Sequence, residues 1–196
     1  LMAIEADFNI SHAEAGSFFL IISIGFSIMI FLSGFISKRL LHRGTIMLSV
    51  FGMGSALLLI SLSNTLFPFK IGLCLLGMNA GLYIPSGIST ITNITPSKHW
   101  GKAFSFHEVG GIVGFVLAPI FAEIGLRTGS WRQTLLFFGI ATITIGIVYS
   151  ICGKRDGFRG EPPHLHNIKQ IVRKKSFRIL AVFFILGVGL ESGVFA

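Results

Sequence analysis

Charged residues are scarce in this chain of 196 residues. Asp, Glu, Lys and Arg together make up 12% of the sequence, whereas soluble domains carry about a quarter. Four long runs contain none of them, and these are 15–37, 44–69, 71–97 and 133–153. A bilayer crossing needs roughly 20 consecutive apolar residues. The sequence therefore predicts an all-α integral membrane protein and excludes an ordinary soluble domain.

Groups that support catalysis or cofactor binding are also scarce. The two cysteines, Cys74 and Cys152, are too few for a disulfide framework. His164 and His166 lie two residues apart in a proline-containing loop, and two imidazoles alone make a poor metal site. The chain has no glycine-rich phosphate loop with its lysine. We expect no metal, no cofactor and no enzymatic activity.

Lysine and arginine are concentrated in three of the segments that separate the apolar runs. Segments 38–43, 93–102 and 153–178 contain 13 of the 16 basic residues. Such a bias marks the loops that face the cytoplasm. It predicts a multi-pass protein of the plasma (inner) membrane, with these three segments cytoplasmic and residue 1 external. It also explains the net charge of +8 without a nucleic-acid partner.

The apolar runs predict five spans within a helical bundle at 1–152. The spans lie near 13–37, 44–63, 70–92, 103–126 and 133–152. Short connections between them favour antiparallel neighbours.

The remaining residues divide into a linker and a further span. Segment 153–178 predicts a cytoplasmic linker, in which Leu165, Ile168, Ile171 and Val172 recur at helical spacing between basic residues. That pattern favours a short amphipathic helix on the inner leaflet. Residues 179–196 predict the start of a sixth span, and we expect the chain to be an internal piece of a longer protein.

Three stretches resemble motifs of the major facilitator superfamily. Gly34-Phe-Ile-Ser-Lys38-Arg39-Leu-Leu-His-Arg43 is similar to the loop signature Gly-x-x-x-Asp-Arg-x-Gly-Arg-Arg/Lys. Gly34, Arg39 and Arg43 match it, whereas the signature Asp is Lys38, its second Gly is Leu41 and its next Arg is His42. The stretch from Gly77 to Pro85 resembles helix 4 of the family, and Ser130-Trp131-Arg132 resembles the beginning of helix 6.

The resemblance implies a fold of two six-helix halves joined by a long cytoplasmic loop. It places the spans of this chain at helices 2 to 6 and at the start of helix 7, with helix 1 and most of the second half missing. It implies secondary transport by alternating access around a site near the bilayer midplane. The missing second half is then an expected partner, beside the lipid bilayer, the solute and protons.

Three functions are consistent with the sequence. The leading interpretation is proton-coupled symport of a small polar solute such as a sugar or an organic anion. The first alternative is efflux of hydrophobic compounds, although Ala118-Pro119-Ile-Phe-Ala122-Glu123 departs from the Gly-Pro-x-x-Gly-Gly pattern of antiporters. The second alternative is a non-transporting receptor or assembly factor, because Lys38 cannot supply the negative charge of the signature Asp, which in the family helps to hold the two halves together.

Polar residues inside the predicted spans are the candidate solute ligands, since such groups are costly in lipid and usually face a cavity or another helix. One face of the third span carries five of them at spacings of 4, 3, 4 and 3 residues: Asn79, Tyr83, Ser86, Thr90 and Asn93. This face either lines an aqueous cavity or makes hydrogen bonds between helices. We predict that Asn79, Tyr83 and Ser86 bind solute.

Two carboxylates are candidates for proton coupling. Glu191 lies 12 residues beyond Ile179, or about 18 Å along a helix, near the middle of a roughly 30 Å hydrocarbon core. The resemblance implies that its helix lines the cavity, so Glu191 is also a predicted solute ligand; interhelical hydrogen bonding is its alternative role. Glu108 lies near the cytoplasmic end of the fourth span, as an inner gate or as a partner of basic loop residues. Glu123 is expected to pair with Arg127 at i+4.

Overall fold

The computed structural model describes residues 2–153, 157–161 and 165–195, without the side chains of 128, 165–168 and 188–195. Seven α-helices and one 3₁₀ turn make up its regular structure. They are α1 (Met2–Phe8), α2 (His12–Ser61), α3 (Leu66–Ile94), the 3₁₀ turn (Ser97–His99), α4 (Trp100–Thr128), α5 (Trp131–Cys152), α6 (Leu165–Arg173) and α7 (Lys175–Phe195). The described residues form no β-strand, which confirms the predicted all-α class. The predicted loop residues Lys154, Arg155 and His164 lie outside the described part.

The chain divides into two compact units, residues 1–161 and residues 162–196. The first unit holds α1 to α5. The second holds α6 and α7, in which α6 places Ile171 and Val172 on its surface.

Four helices of the described chain are long and apolar enough to cross a membrane, and these are His12–Ser61, Leu66–Ile94, Ser97–Arg127 and Trp131–Cys152. Their large apolar side chains remain exposed, as Phe31, Phe106 and Phe137 show. A surface of this kind requires lipid rather than water around it. The chain is therefore a multi-pass membrane protein.

Helix α2 is broken at Leu41 into a first arm (12–40) and a second arm (42–61). With 50 residues it would be about 75 Å long if straight, far more than one bilayer crossing. Leu41 has φ 63° and ψ 163°, which are non-helical angles. The two arms therefore run in opposite directions and form a hairpin of two bilayer-length helices.

Contacts along the helices fix their directions. The first arm is parallel to α3, since Phe18 meets Phe69 at one level and Phe26 meets Gly81 at another. The second arm is antiparallel to α3, since Ile60 lies against Gly72 whereas His42 bonds to Ser86.

Helix α5 packs on the second arm through Leu58 and Gly139 and, further along, through Phe51 and Gly146. The second arm thus lies between α3 and α5. We call the end of the bundle with Leu41 the turn end and the opposite end the α1 end.

Aromatic packing closes the α1 end. Helix α1 folds back so that Phe8 lies 5.1 Å from the ring of Phe69 and 6.0 Å from that of Trp131. Phe18 meets the same Phe69 ring at 5.0 Å. Phe18, Phe69 and Trp131 belong to a buried cluster with Ala15, Ile60 and Leu73, and the partly buried Phe8 packs against it, so that α1, α2, α3 and α5 are joined.

The hairpin at Leu41 is strained. Its φ and ψ fall in a region that is essentially restricted to glycine, and non-glycine residues there cost about 1–3 kcal/mol. The loop signature of the resembling family has glycine at this position, where this chain has Leu41. The turn keeps the glycine conformation although it lacks the glycine.

We therefore expect Leu41→Gly to stabilise the protein. Removing the strain should raise the free energy of unfolding by more than the added flexibility of glycine in the unfolded chain lowers it. A rise of about 1 kcal/mol in the free energy of unfolding should appear as a higher unfolding temperature in detergent. The matched variant Leu40→Gly, at a helical neighbour, should be less stable than wild type. An unfolding temperature that falls in Leu41→Gly would show that the turn tolerates leucine without strain.

Candidate functional site

The polar face of α3 is divided between two neighbouring helices. Asn79 lies against Gly52 of the second arm, whose missing side chain leaves room for the Asn79 amide. Its Nδ2 donates to the carbonyl of Leu75 at 2.8 Å, and Ser49 Oγ donates to the carbonyl of Asn79 at 2.6 Å. Asn79 thus joins α3 to α2 in the middle of the bundle.

Tyr83 points to α4 instead. Its Oη is 3.0 Å from Nε2 of His107, and the two rings are stacked with an interplanar angle of 11°. Nδ1 of His107 is in turn 3.3 Å from Oε1 of Glu108. The rest of α4 touches α5 near its other end, where Gly125 meets Thr134 and Phe121 meets Phe138. The Tyr83–His107 bond is therefore the polar connection of α3 with α4 among the described residues.

Ser86 and Thr90 continue the face toward the turn end. Ser86 is fully buried at 0% exposure, and its Oγ is 3.2 Å from Nδ1 of His42. Thr90 Oγ1 donates to the carbonyl of Ser86 at 2.8 Å, and Asn93 is exposed. Ser86 lies between helices in this conformation, and its role as a solute ligand stays a prediction.

The loop signature residues surround this point at the turn end. Gly34 accepts a hydrogen bond from Ser37 Oγ through its carbonyl, and Lys38 and Arg39 are exposed. Arg43 reaches across to α5, where its Nη2 donates to the carbonyl of Ser150 at 2.6 Å. Arg43 therefore connects the hairpin to the end of α5, whereas Lys38 faces away from the bundle.

A short segment of the predicted linker covers the hairpin, and we call residues 157–161 the strap. The backbone N–H of Gly160 donates to the carbonyl of Ser37 at 3.2 Å, and that of His42 donates to the carbonyl of Phe158 at 3.4 Å. The Phe158 ring lies 4.8 Å from the His42 ring. A side chain at position 160 would collide with Ser37, so the close approach requires glycine there.

Burial of His42 makes the strap sensitive to pH. Loss of hydration lowers the pKa of the His42 imidazole below its usual 6.5, against a smaller opposing effect of a backbone hydrogen bond with Arg159. The unfolded state therefore binds more protons than the folded state as the pH falls below 6.5. The contribution of neutral His42 to stability is complete above that pH and is lost below it.

Amide exchange at Gly160 should consequently lose protection as the pH falls below 6.5, after correction for the intrinsic exchange rate. In His42→Gln this loss should disappear, because glutamine does not titrate. The matched variant His99→Gln replaces an exposed histidine and should behave like wild type. If protection of the Gly160 amide depends on pH equally in His42→Gln and wild type, His42 is not the cause of that dependence.

Acidic and basic residues at the α1 end are paired. Lys70 bonds to Glu14 at 2.8 Å, Arg127 bonds to Glu123 at 2.7 Å as the i+4 spacing predicted, and Arg132 bonds to Asp7. Arg132 also donates to the carbonyl of Ser63 and lies over the Trp131 ring. Among the described residues, no lysine or arginine of the turn end forms an ion pair with an acidic residue. The turn end therefore carries the excess of positive charge.

The predicted solute-binding and proton-coupling roles of the site residues all stay predictions. Glu191 lies in α7, but its side chain is outside the described part, so its roles in solute and proton binding stay predictions. Among the described residues, no three His, Cys, Asp or Glu side chains converge as metal ligands.

Sequence reasoning did not find the two histidine contacts. It considered Glu108, the residue after His107, and it placed His42 in the loop signature, but a spacing pattern on one helix says nothing about a partner on another. The signal that was present is chemical. Each histidine interrupts an otherwise apolar or basic stretch, opposite a hydroxyl on α3.

A family model described as the Major Facilitator Superfamily matches residues 1–196, the whole chain. No curated protein matches it.

Proposed function

Because the chain belongs to the major facilitator superfamily, a family of secondary transporters, we propose that it moves a small polar solute by alternating access, in symport with protons. The solute is a sugar or an organic anion. The turn end faces the cytoplasm of a cell whose plasma membrane contains the protein, and the α1 end faces outside. Transport needs a second bundle, which the predicted span at 179–196 begins.

The observation that carries this proposal is the position of Tyr83. Its hydroxyl lies between two membrane helices and bonds to His107, whose side chain keeps 24% of its surface exposed. Hydrogen-bonding groups placed between apolar helices suit a solute that carries hydroxyl or carboxylate groups. Asn79, one turn away on α3, is a second polar group between helices, and it faces the second arm.

The distribution of charge supports the proposed orientation. The basic side chains of the α1 end form ion pairs with Glu14, Asp7 and Glu123, whereas the described lysine and arginine side chains of the turn end form none. Unpaired lysine and arginine favour the cytoplasmic side.

A second candidate is efflux of hydrophobic compounds, and one observation favours it. An apolar cavity of about 320 Å³ lies between α4 and α5, lined by Phe121, Ile124, Gly125, Gln133, Thr134, Phe137 and Phe138. Its aromatic walls suit a hydrophobic ligand or a lipid chain better than a sugar.

Uptake by proteoliposomes made with the complete natural protein separates these candidates. We expect one member of a panel of monosaccharides, disaccharides and di- and tricarboxylates to accumulate when the inside is alkaline. Tyr83→Phe should reduce that uptake about tenfold, because loss of one hydrogen bond to the solute weakens its binding by about that factor.

The matched control is Thr144→Val, which removes a hydroxyl that bonds only to its own helix. Export of a hydrophobic dye without accumulation of any panel solute would favour the efflux candidate and contradict the proposal. Binding of a panel solute without accumulation would favour a receptor.

A further inference from the structure

Three side chains on two helices form a continuous hydrogen-bonded chain. Tyr83 Oη, His107 Nε2, His107 Nδ1 and Glu108 Oε1 follow one another, with 3.0 Å between the first two atoms and 3.3 Å between the last two. Tyr83 belongs to the proposed solute surface, and Glu108 is 73% exposed. His107 lies between them, so both of its ring nitrogens are engaged.

The direction of each hydrogen bond follows from elementary chemistry. An ionised carboxylate only accepts, so Nδ1 of His107 carries the hydrogen that points to Glu108. A neutral imidazole has one N–H, which leaves Nε2 as an acceptor. The Tyr83 hydroxyl must then donate its hydrogen to Nε2, and that hydrogen is not free for a solute.

Protonation of His107 reverses the bond to Tyr83. One proton from the aqueous side adds to Nε2, which becomes a donor, and the tyrosine oxygen becomes its acceptor. The Tyr83 O–H turns away from the ring and is free to donate to a solute oxygen. The neighbouring Glu108 carboxylate stabilises the imidazolium, as an adjacent negative charge does for any cation.

We propose that Tyr83, His107 and Glu108 form a proton-binding site, in which His107 Nε2 takes the proton and the Tyr83 hydroxyl changes from donor to acceptor toward the histidine. The inference rests on the proposed symport in one respect, since the hydroxyl that proton binding frees belongs to the proposed solute surface. Proton and solute then favour each other's binding, as thermodynamic coupling requires of a symporter.

Two tyrosines on neighbouring helices belong to the surroundings of this site. Tyr83 of α3 bonds to His107, and Tyr149 of α5 interacts electrostatically with Tyr83. Glu108 belongs to the same helix as His107. Both tyrosines are neutral between pH 5 and pH 8, so the carboxylate is the charge that acts on His107.

Nuclear magnetic resonance of the complete protein in lipid nanodiscs tests the site with protons as the only ligand. Imidazole-¹⁵N histidine reports the state of Nδ1 and Nε2, and His107→Gln assigns the His107 signals. At high pH we expect the Nδ1–H form of His107, and acidification should protonate Nε2. Tyrosine labelled with ¹³C at Cζ reports the state of Tyr83, and Tyr83→Phe assigns its signal. The Tyr83 signal should move with the same pH midpoint as His107 and stop moving in His107→Gln.

Variants of the carboxylate supply the matched comparison. Glu108→Gln should weaken the preference of His107 for the Nδ1–H form, because an amide can donate as well as accept, whereas Glu123→Gln, on the same helix but paired with Arg127, should leave the tautomer unchanged. If His107→Gln does not fold, Tyr83→Phe assigns the tyrosine signal and Glu108→Gln still tests the coupling.

An Nε2–H form of neutral His107 in the wild-type protein at high pH, or a tautomer that is the same in Glu108→Gln and wild type, would overturn the proposal. The titration needs no solute, so it fails or succeeds independently of the uptake assay for symport.

Discussion

Gly77→Ala combined with Gly81→Ala should unfold at a much lower temperature than wild type. The side chain added at Gly77 would lie 2.1 Å from the carbonyl oxygen of Ile22, and the one added at Gly81 would lie 2.3 Å from that of Phe26. Both obstacles are backbone atoms, so no side-chain rotation relieves them. Each overpacked position costs about 1–3 kcal/mol, and together they would force the first arm away from α3.

A matched pair on α4 isolates the effect of packing from that of helix propensity. Gly110 and Gly114 are spaced like Gly77 and Gly81, but a side chain added at either meets no atom within 4 Å. The double alanine variant there should be as stable as wild type or slightly more so, since alanine favours helix. Thermal unfolding in detergent, followed by circular dichroism, measures both pairs. Equal losses in the two pairs would contradict the close contact of the first arm with α3.

Glu191→Gln should abolish accumulation of the solute driven by a pH gradient and spare exchange of solute across the membrane. The sequence predicts that Glu191 lies near the middle of the last span, where a carboxylate would take up and release a proton, whereas glutamine binds none. Accumulation should fall at least tenfold because the driving gradient is no longer coupled. Exchange needs no net proton movement and should continue.

Glu161→Gln is the matched control, because Glu161 is an exposed carboxylate of the strap. Uptake by proteoliposomes with and without an imposed pH gradient measures both variants. Accumulation by Glu191→Gln at the wild-type level would remove Glu191 from proton coupling and leave His107 as the proton-binding residue.

Much of the fold follows from local sequence properties. The uncharged runs predicted membrane-spanning helices, because composition alone decides whether a segment prefers lipid to water. The all-α membrane class is confirmed. The loop signature led to the right family although three of its positions differ. Leu41 shows the limit, since the sequence marked it as a departure from glycine but gave no backbone angle. The glycine-like backbone conformation of the turn became known only from the tertiary structure.

The candidate site was less accessible to sequence reasoning. Helical spacing put Asn79, Tyr83 and Ser86 on one face, but it did not say which neighbour each would meet. In the structure Asn79 and Ser86 turn to the second arm and Tyr83 turns to α4. A rotation of about 60° between positions 83 and 86 is enough to direct them to different helices. The contacts with His42 and His107 depend on that packing.

Solute-driven proton movement tests the central claim of proton-coupled transport most directly. Proteoliposomes that contain the complete protein and a pH-sensitive dye are given an inward gradient of each panel solute, with no pH gradient imposed. We predict that one sugar or organic anion acidifies the interior and that Tyr83→Phe slows this acidification about tenfold. Entry of a solute without any change in internal pH would contradict symport.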